Sequence, residues 1–156
     1  MAVMSMWCVC VRIFRQYSCS KSTNMAYEFS ENEAMVYEVL TNIENAVSTL
    51  LERTEQIRSA NDFALSPSGM EKLDAACMVL LAIGESIKNL DKLTNKELLP
   101  TCPSIDWKGL MGVRDIIAHR YFQVDPDAVF AIIKEEMPPV KEAITYFKEV
   151  LFSTEQ

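Results

Sequence analysis

A run of apolar residues at helical spacing begins after residue 30 and restricts the chain to folds that bury one face of a long helix. Ser30 and Glu33 form the Ser-x-x-Glu pattern of a capping box, which is typical of a helix start. Apolar side chains then recur mostly every three or four positions, at Val36, Leu40, Ile43, Val47, Leu50 and Ile57. The pattern predicts a first helix over about residues 30–60.

A second helix is predicted after the cluster Ser66-Pro-Ser-Gly69, because its proline and glycine break the first pattern. We expect the two helices to pack as an antiparallel hairpin. The apolar positions of the second helix are Met70, Leu73, Cys77, Leu80, Leu81 and Ile87. Gly84 lies among them, where glycine costs about 1 kcal/mol relative to alanine. It indicates either a close contact with another helix or a tolerated glycine.

Two more helices are predicted in the second half of the chain. Asp106 is in position to cap a helix over residues 107–121. Asp125 is followed by a proline, a typical helix start, and the last helix should then cover residues 126–151. Because proline removes a helical hydrogen bond, the Pro138-Pro139 pair should bend or interrupt it.

The fold class expected is all-α, since no alternation of polar and apolar residues is long enough to predict a strand. We predict an up-and-down bundle of four main helices plus a short extra helix, for which Thr94 and Glu97 suggest a cap. A chain of 156 residues, about half of them hydrophobic, is sized for a single core.

Residues 1–24 differ from the rest of the chain in charge. They carry three basic residues and no acidic one, whereas 12 basic and 22 acidic residues follow. Their apolar stretch, residues 3–11, is too short to span a membrane and has no basic residue before it, which makes it a poor signal peptide. We expect a disordered leader, or an over-long start with Met25 as the initiator, and an organelle transit peptide is the alternative. The helical domain would then be residues 25–156.

The net charge of −7 limits the partners of this chain. An acidic body opposes broad coating of RNA or DNA, so a polyanion would have to bind at a local basic site. The five cysteines form no Cys-x-x-Cys pair and have no histidine at zinc-ligand spacing, so we expect no metal site and reduced thiols in a cytoplasmic protein. No membrane association and no cofactor are expected.

The only histidine, His119, lies in a segment suited to acid–base chemistry. Arg114 precedes it by five residues and Tyr121 follows it by two. Histidine exchanges a proton near neutral pH, while the guanidinium of arginine binds phosphate or carboxylate oxygens. On a helix, Asp115 and His119 are one turn apart, so we expect Asp115 to hold one imidazole nitrogen and fix the tautomer of the other.

The pattern Arg-x4-His-x-Tyr, formed by Arg114, His119 and Tyr121, resembles that of the HepT-like toxins of the HEPN superfamily. The resemblance covers most of residues 28–151 and includes Ala82-Ile-Gly-Glu85, Asp106-Trp107, Gly112-Val-Arg114 and Val124-Asp125. It implies a HEPN-like helical fold and a metal-independent endoribonuclease that works as a twofold homodimer. Arg114 and His119 would then be catalytic, in a cleft between the subunits.

The resemblance also implies a partner and a modification. Proteins of this kind are paired with a minimal nucleotidyltransferase antitoxin, which attaches AMP to the motif tyrosine and silences the nuclease. That position is Tyr121 in this chain. The chain would therefore be the toxin of a toxin–antitoxin pair, with RNA and not DNA as its substrate.

A homodimer is also expected from the chemistry of RNA cleavage. Attack of the 2′-hydroxyl on phosphorus needs a base, an acid and a cation near the developing charge, and the chain has one histidine. A twofold axis would supply two copies of His119 and two of Arg114. Lys108 and Arg120 are candidates for further RNA contacts, although solvated surface charge is the alternative for both.

Less specific interpretations remain open for each of these residues. A lone histidine in a helix is commonly structural, and Arg114 could be a salt-bridge partner of Glu85. The main alternative function is a catalytically inactive HEPN-like dimer that acts as a binding module for a nucleotidyltransferase or another protein. A purely structural bundle would leave the spacing of Arg114, His119 and Tyr121 to coincidence.

Overall fold

The computed structural model describes residues 23–152, without the side chains of residues 23–31 and of Tyr121. All regular structure in this part of the chain is helical, which confirms the all-α prediction. The helices are α1 (Thr23–Arg53), α2 (Asn61–Ala64), α3 (Pro67–Leu93), α4 (Trp107–Arg120), α5 (Pro126–Ala131) and α6 (Met137–Phe152). A π-helical turn, Ile132–Glu136, joins α5 to α6, and 3-10 turns lie at Leu99–Thr101 and Tyr121–Gln123. Almost all of the predicted leader lies outside the described residues, so its boundary stays a prediction.

The core lies where α1 packs against α3 and α6, and α4 covers the other side of α3. The apolar stripe predicted for α1 is buried, and none of its six members is more than 4% exposed. The end of α1 and the start of α3 line one cleft together, so these two helices are antiparallel as predicted. The last helix pairs with α1 in the same sense, because Tyr37 contacts Phe152 while Glu44 contacts Lys148.

The predicted bounds of the first helix were wrong at both ends. The helix begins at Thr23, so Ser30 lies inside it, and it ends at Arg53 instead of near residue 60. The carboxylate of Asp62 explains the early end, because it accepts hydrogen bonds from the backbone N–H groups of Arg58 and Ser59 at 2.8 and 3.0 Å. Such side-chain bonds compete with helical ones and fold the segment into a turn.

The starts of three helices are fixed by polar caps, two of which were predicted. Asp106 accepts a hydrogen bond from Gly109 N at 2.9 Å, and Asp125 accepts one from Asp127 N at 3.0 Å. Ser66 caps α3 in the same way and is followed by a proline. The cap predicted at Thr94 was wrong: its hydroxyl donates to Leu90 O at 2.9 Å, so Thr94 ends α3 and starts no helix.

The predicted interruption of the last helix is confirmed, and it takes the form of the π-helical turn Ile132–Glu136. Pro138 and Pro139 follow this turn directly. They cannot donate to the carbonyls four residues earlier, and their rings crowd those carbonyls, so the backbone widens at this point. Among the described helices, none combines the length and the apolar character that crossing a membrane requires.

Candidate active site on helix α4

Helix α4 carries the predicted motif and presents it on two faces. Trp107, Leu110 and Ile117 are buried and fix α4 on the core. Gly112, Ile116 and His119 lie within about 60° of one another on the opposite side, at helical spacing. This outward face is partly apolar, because the Ile116 residue is 55% exposed. The predicted helix is confirmed, except that it ends at Arg120, one residue early.

Gly84 of α3 lets the backbone of α4 approach closely beside Arg114. A Cβ atom on Gly84 would lie 2.9 Å from the Cβ of Arg114 and 3.0 Å from the carbonyl oxygen of Leu110. Real Cβ atoms do not approach other heavy atoms that closely. Of the two interpretations of Gly84, the close helix contact is therefore the one that the structure supports.

Two carboxylates engage the guanidinium of Arg114. Its Nε lies 2.9 Å from Oε2 of Glu85, and its Nη1 donates to Oδ1 of Asp115 at 2.6 Å. The hydrogen bond to Asp115 and the charge of Glu85 raise the pKa of Arg114 further above neutral, so the group stays cationic. The ion pair with Glu85 that the sequence suggested is present, and Asp115 adds a second.

Asp115 is placed differently from the expectation. Its carboxylate turns toward Arg114, and no hydrogen bond joins it to His119 within the described residues. The hydrogen bond from Arg114 lowers the pKa of Asp115, and the nearby charges of Lys88 and His119 lower it further. Sequence analysis missed Lys88 as a charge close to this site. Its position one turn after Glu85 on α3 could have indicated it, because residues three apart on a helix are neighbours.

His119 is exposed on the surface of the single chain. A cleft of about 280 Å³ between the end of α1 and the start of α3 is lined by residues such as Arg53 and Lys72, and includes neither Arg114 nor His119. No hydrogen bond or ion pair among the described residues joins His119 to Arg114. The single chain therefore presents the two motif residues on one helix without enclosing a substrate between them.

The other predicted site residues lie along the same helix or at its end. Lys108 is exposed in the first turn of α4, about 17 Å along the axis from His119. Arg120 is exposed directly after His119. Tyr121 lies in the 3-10 turn after α4, and its side chain is outside the described part of the structure. Lys108 is therefore remote from His119, whereas Arg120 and Tyr121 are its sequence neighbours.

Metal binding and cysteine chemistry are two other kinds of chemistry on which the described side chains bear. Nowhere in residues 23–152 do three or more His, Cys, Asp or Glu side chains lie close enough together to hold a metal ion. Burial raises the pKa of the Cys77 thiol to about 11, so this cysteine is protonated and unreactive at neutral pH.

The chain is similar to a known protein family and to several individual proteins. The model of the family described as ribonuclease HepT-like matches residues 43–147, which is more than half of the chain. A provisionally named RNase of Caldanaerobacter subterraneus is 32% identical over 102 residues, which are 65% of this chain and 81% of that protein. All three motif positions lie in the matched region of the family model.

Two provisionally named RNases of Methanocaldococcus jannaschii are also similar. One is 25% identical over 120 residues, or 75% of this chain and 88% of that protein. The other is 30% identical over 60 residues, or 38% of this chain. The chain spans only about half of the length of this last relative, 55%. No solved structure matches the chain.

Proposed function

Because the chain belongs to the HepT-like ribonuclease family of the HEPN superfamily, we propose that it is a metal-independent endoribonuclease whose active site contains Arg114 and His119. The observation that carries the proposal is that one helix presents the exposed imidazole of His119 and the guanidinium of Arg114, which two carboxylates hold, at the spacing of the family motif. The provisional names of the relatives as RNases support the same activity.

The proposed reaction is attack of the 2′-hydroxyl of RNA on the adjacent phosphorus. A base takes the hydroxyl proton, the 2′-oxygen bonds to phosphorus, the bond from phosphorus to the 5′-oxygen breaks, and an acid protonates that oxygen. The products are a 2′,3′-cyclic phosphate and a 5′-hydroxyl. Neutral His119 suits the base and protonated His119 suits the acid, while Arg114 balances the charge that develops on the phosphate oxygens.

We propose that two chains form this site together as a homodimer. One exposed histidine cannot easily serve as base and acid in the same step, whereas a twofold axis near α4 places two imidazoles at one cleft. The outward face of α4 suits such an interface, since Ile116 is 55% exposed and a Cβ on Gly112 would meet no described atom of another element within 4 Å. A second helix could therefore approach α4 closely at Gly112.

The experiment that tests this function is cleavage of a mixed RNA pool in EDTA by the purified chain. The wild type should produce 2′,3′-cyclic phosphate ends, while His119→Ala and Arg114→Ala should not. His119 is exposed, so His119→Ala should keep the thermal midpoint of the wild type, which separates lost chemistry from lost folding. Cleavage by His119→Ala would exclude its role in catalysis.

We further propose that the nuclease is the toxin of a toxin–antitoxin pair and that AMP transfer to Tyr121 silences it. A nucleotide on the residue two positions after His119 would bring a phosphate and a base close to the imidazole and block RNA. Co-expression with a neighbouring minimal nucleotidyltransferase should add one adenylate to the wild type and none to Tyr121→Phe. An adenylated Tyr121→Phe would place the modification elsewhere.

The second candidate function is a catalytically inactive helical dimer that binds a nucleotidyltransferase or another protein. The observation that favours it is that both Nε and Nη1 of Arg114 are already engaged by carboxylates, so RNA phosphate would compete with Glu85 and Asp115. Absence of cleavage by an intact, unmodified dimer, together with tight binding of the nucleotidyltransferase, would favour this function over the nuclease.

A further inference from the structure

Arg114 is positioned by residues of two helices, and the most important of them lie on α3. The close approach at Gly84 presses the Cβ of Arg114 against α3. The next residue, Glu85, then has its carboxylate 2.9 Å from Nε. Glycine and glutamate at consecutive positions of α3 thus set both the base of the arginine side chain and its charged end.

The second carboxylate fixes the plane of the guanidinium. Asp115 accepts from Nη1 at 2.6 Å while Glu85 faces Nε, so contacts on two different nitrogens define the orientation of the group. Among the side chains that the structure describes, which do not include Tyr121, none accepts a hydrogen bond from Nη2. Nη1 keeps one N–H besides its bond to Asp115, whereas Nη2 carries two N–H bonds, so Nη2 is the nitrogen on which both donors remain for a phosphate oxygen.

The exposure of the three side chains agrees with this arrangement. The Arg114 side chain is 32% exposed, whereas those of Glu85 and Asp115 are both 55% exposed. The Arg114 side chain is therefore less exposed than the two carboxylates that contact it. Because these contacts hold the long side chain in one orientation, much of its rotamer freedom is already lost before RNA binds. Lys88 lies close enough to Asp115 to offset part of the negative charge.

We propose that Glu85 is a positioning residue, which holds the Arg114 guanidinium so that Nη2 points at the phosphate being cleaved. This inference rests on the ribonuclease function proposed above and assigns Glu85 a role in the rate of the step. Orientation acts mainly on the transition state, because misplacement of a charged group by about 1 Å can cost up to about a hundredfold in rate. Glu85 should contribute to kcat more than to RNA binding.

The test compares Glu85→Gln, which keeps the shape of the side chain and removes its charge, with Glu71→Gln, a change at an exposed position on the same helix. We expect kcat for an RNA oligonucleotide to fall about tenfold or more in Glu85→Gln. The Kd of the same oligonucleotide should stay equal or decrease, since a competing carboxylate is gone. Glu71→Gln should change neither value.

Two outcomes of this comparison would overturn the positioning role. A lower thermal midpoint with unchanged kcat would show that Glu85 only stabilises the fold. A higher kcat/KM in Glu85→Gln would show that Glu85 opposes RNA by its charge. As a further control, Glu85→Gln in an Arg114→Lys background should have little additional effect, because Glu85 acts through Arg114.

A readout that does not depend on cleavage separates this inference from the proposed function. The Nε–H proton of Arg114, observed by ¹H–¹⁵N NMR, should exchange slowly with solvent in the wild type and rapidly in Glu85→Gln. Rapid exchange in a wild type that cleaves RNA would overturn the positioning inference alone. Slow exchange in a wild type that does not cleave RNA would overturn the proposed function, and with it the effect of Glu85 on kcat.

Discussion

Two glycines near Arg114 differ in what surrounds them, and this difference can be measured. A Cβ on Gly84 would lie 2.9 Å from the Arg114 Cβ, so Gly84→Ala should force α3 and α4 apart. We expect the free energy of unfolding to fall by about 1–3 kcal/mol, the usual cost of overpacking. RNA cleavage should fall as well, because Arg114 moves with α4. Urea unfolding and the cleavage assay measure the two effects.

Gly112→Ala is the matched control on the facing helix. Its new Cβ would meet no atom within 4 Å among the described residues outside its own helical turns, and alanine is favoured over glycine inside a helix by about 1 kcal/mol. The stability of the chain should therefore rise slightly, when measured at concentrations that keep it monomeric. Equal destabilisation by both substitutions would contradict the role of Gly84 as a contact residue.

Of the contacts that sequence analysis expected around Arg114 and His119, one is present and one is not. Glu85 was a candidate partner of Arg114 because the two have opposite charge, and the ion pair is present. Asp115 was assigned to His119 from helical spacing, but it bonds to Arg114. Neighbouring residues on a helix do not normally face each other. Here Gly84 holds the Arg114 backbone against α3, and the long side chain must turn back along α4, which no pattern in one sequence reveals.

Helix positions were more predictable than helix ends. Apolar periodicity located the buried stripe of α1, and the acidic caps at Asp106 and Asp125 located two helix starts. The end of α1 was missed because the carboxylate of Asp62 accepts hydrogen bonds from the backbone N–H groups of Arg58 and Ser59. These bonds span only three or four residues, but apolar periodicity does not detect them, because Ile57 keeps the helical spacing beyond the end of α1.

The contact between α1 and α6 gives a prediction on acid stability. Glu44 Oε2 lies 2.6 Å from Lys148 Nζ, and Thr145 donates to Oε1 at 2.9 Å. The hydrogen bond from Lys148 lowers the pKa of Glu44 in the folded chain. Because the pKa of Glu44 is lower in the folded chain than in the unfolded chain, where it is about 4.3, its charged form stabilises the fold at pH values above about 4.3. This stabilisation is lost as the pH falls through the folded-state pKa of Glu44.

Glu44→Gln should therefore reduce the free energy of unfolding by about 1 kcal/mol at neutral pH. The difference from the wild type should shrink as the pH falls below the unfolded pKa of about 4.3 and through the lowered pKa of the folded carboxylate. Urea unfolding at several pH values and one protein concentration measures this. Glu52→Gln, at an exposed position of the same helix, is the control. A constant difference at all pH values would show that the charge of Glu44 does not matter.

The charge of the whole molecule bears on how the proposed RNA substrate would bind. The chain has a net charge of −7, which disfavours RNA over most of its surface. Helix α4 is an exception, because its three basic residues, Lys108, Arg114 and Arg120, outnumber its one acidic residue, Asp115. Productive binding would then depend on local contacts at α4, and the observed RNA affinity should fall with added salt.

The oligomeric state is the property of the whole molecule on which the proposed site depends most. If α4 packs on its twofold copy, Ile116→Lys places an unpaired charge at a symmetric contact, where the two lysines also repel each other. We expect a cost on the order of 3 kcal/mol in dimer formation, or about a hundredfold in Kd. Sedimentation equilibrium should show a dimer for the wild type and mainly a monomer for Ile116→Lys.

Loss of the dimer should also remove RNA cleavage, although Arg114 and His119 are unchanged in this variant. The control is Leu65→Lys, since Leu65 is 80% exposed and lies in the connection between α2 and α3, away from α4. It should remain dimeric and active. An Ile116→Lys variant that is monomeric but still cleaves RNA would show that one chain holds a complete site, and base and acid would then have to come from residues other than two copies of His119.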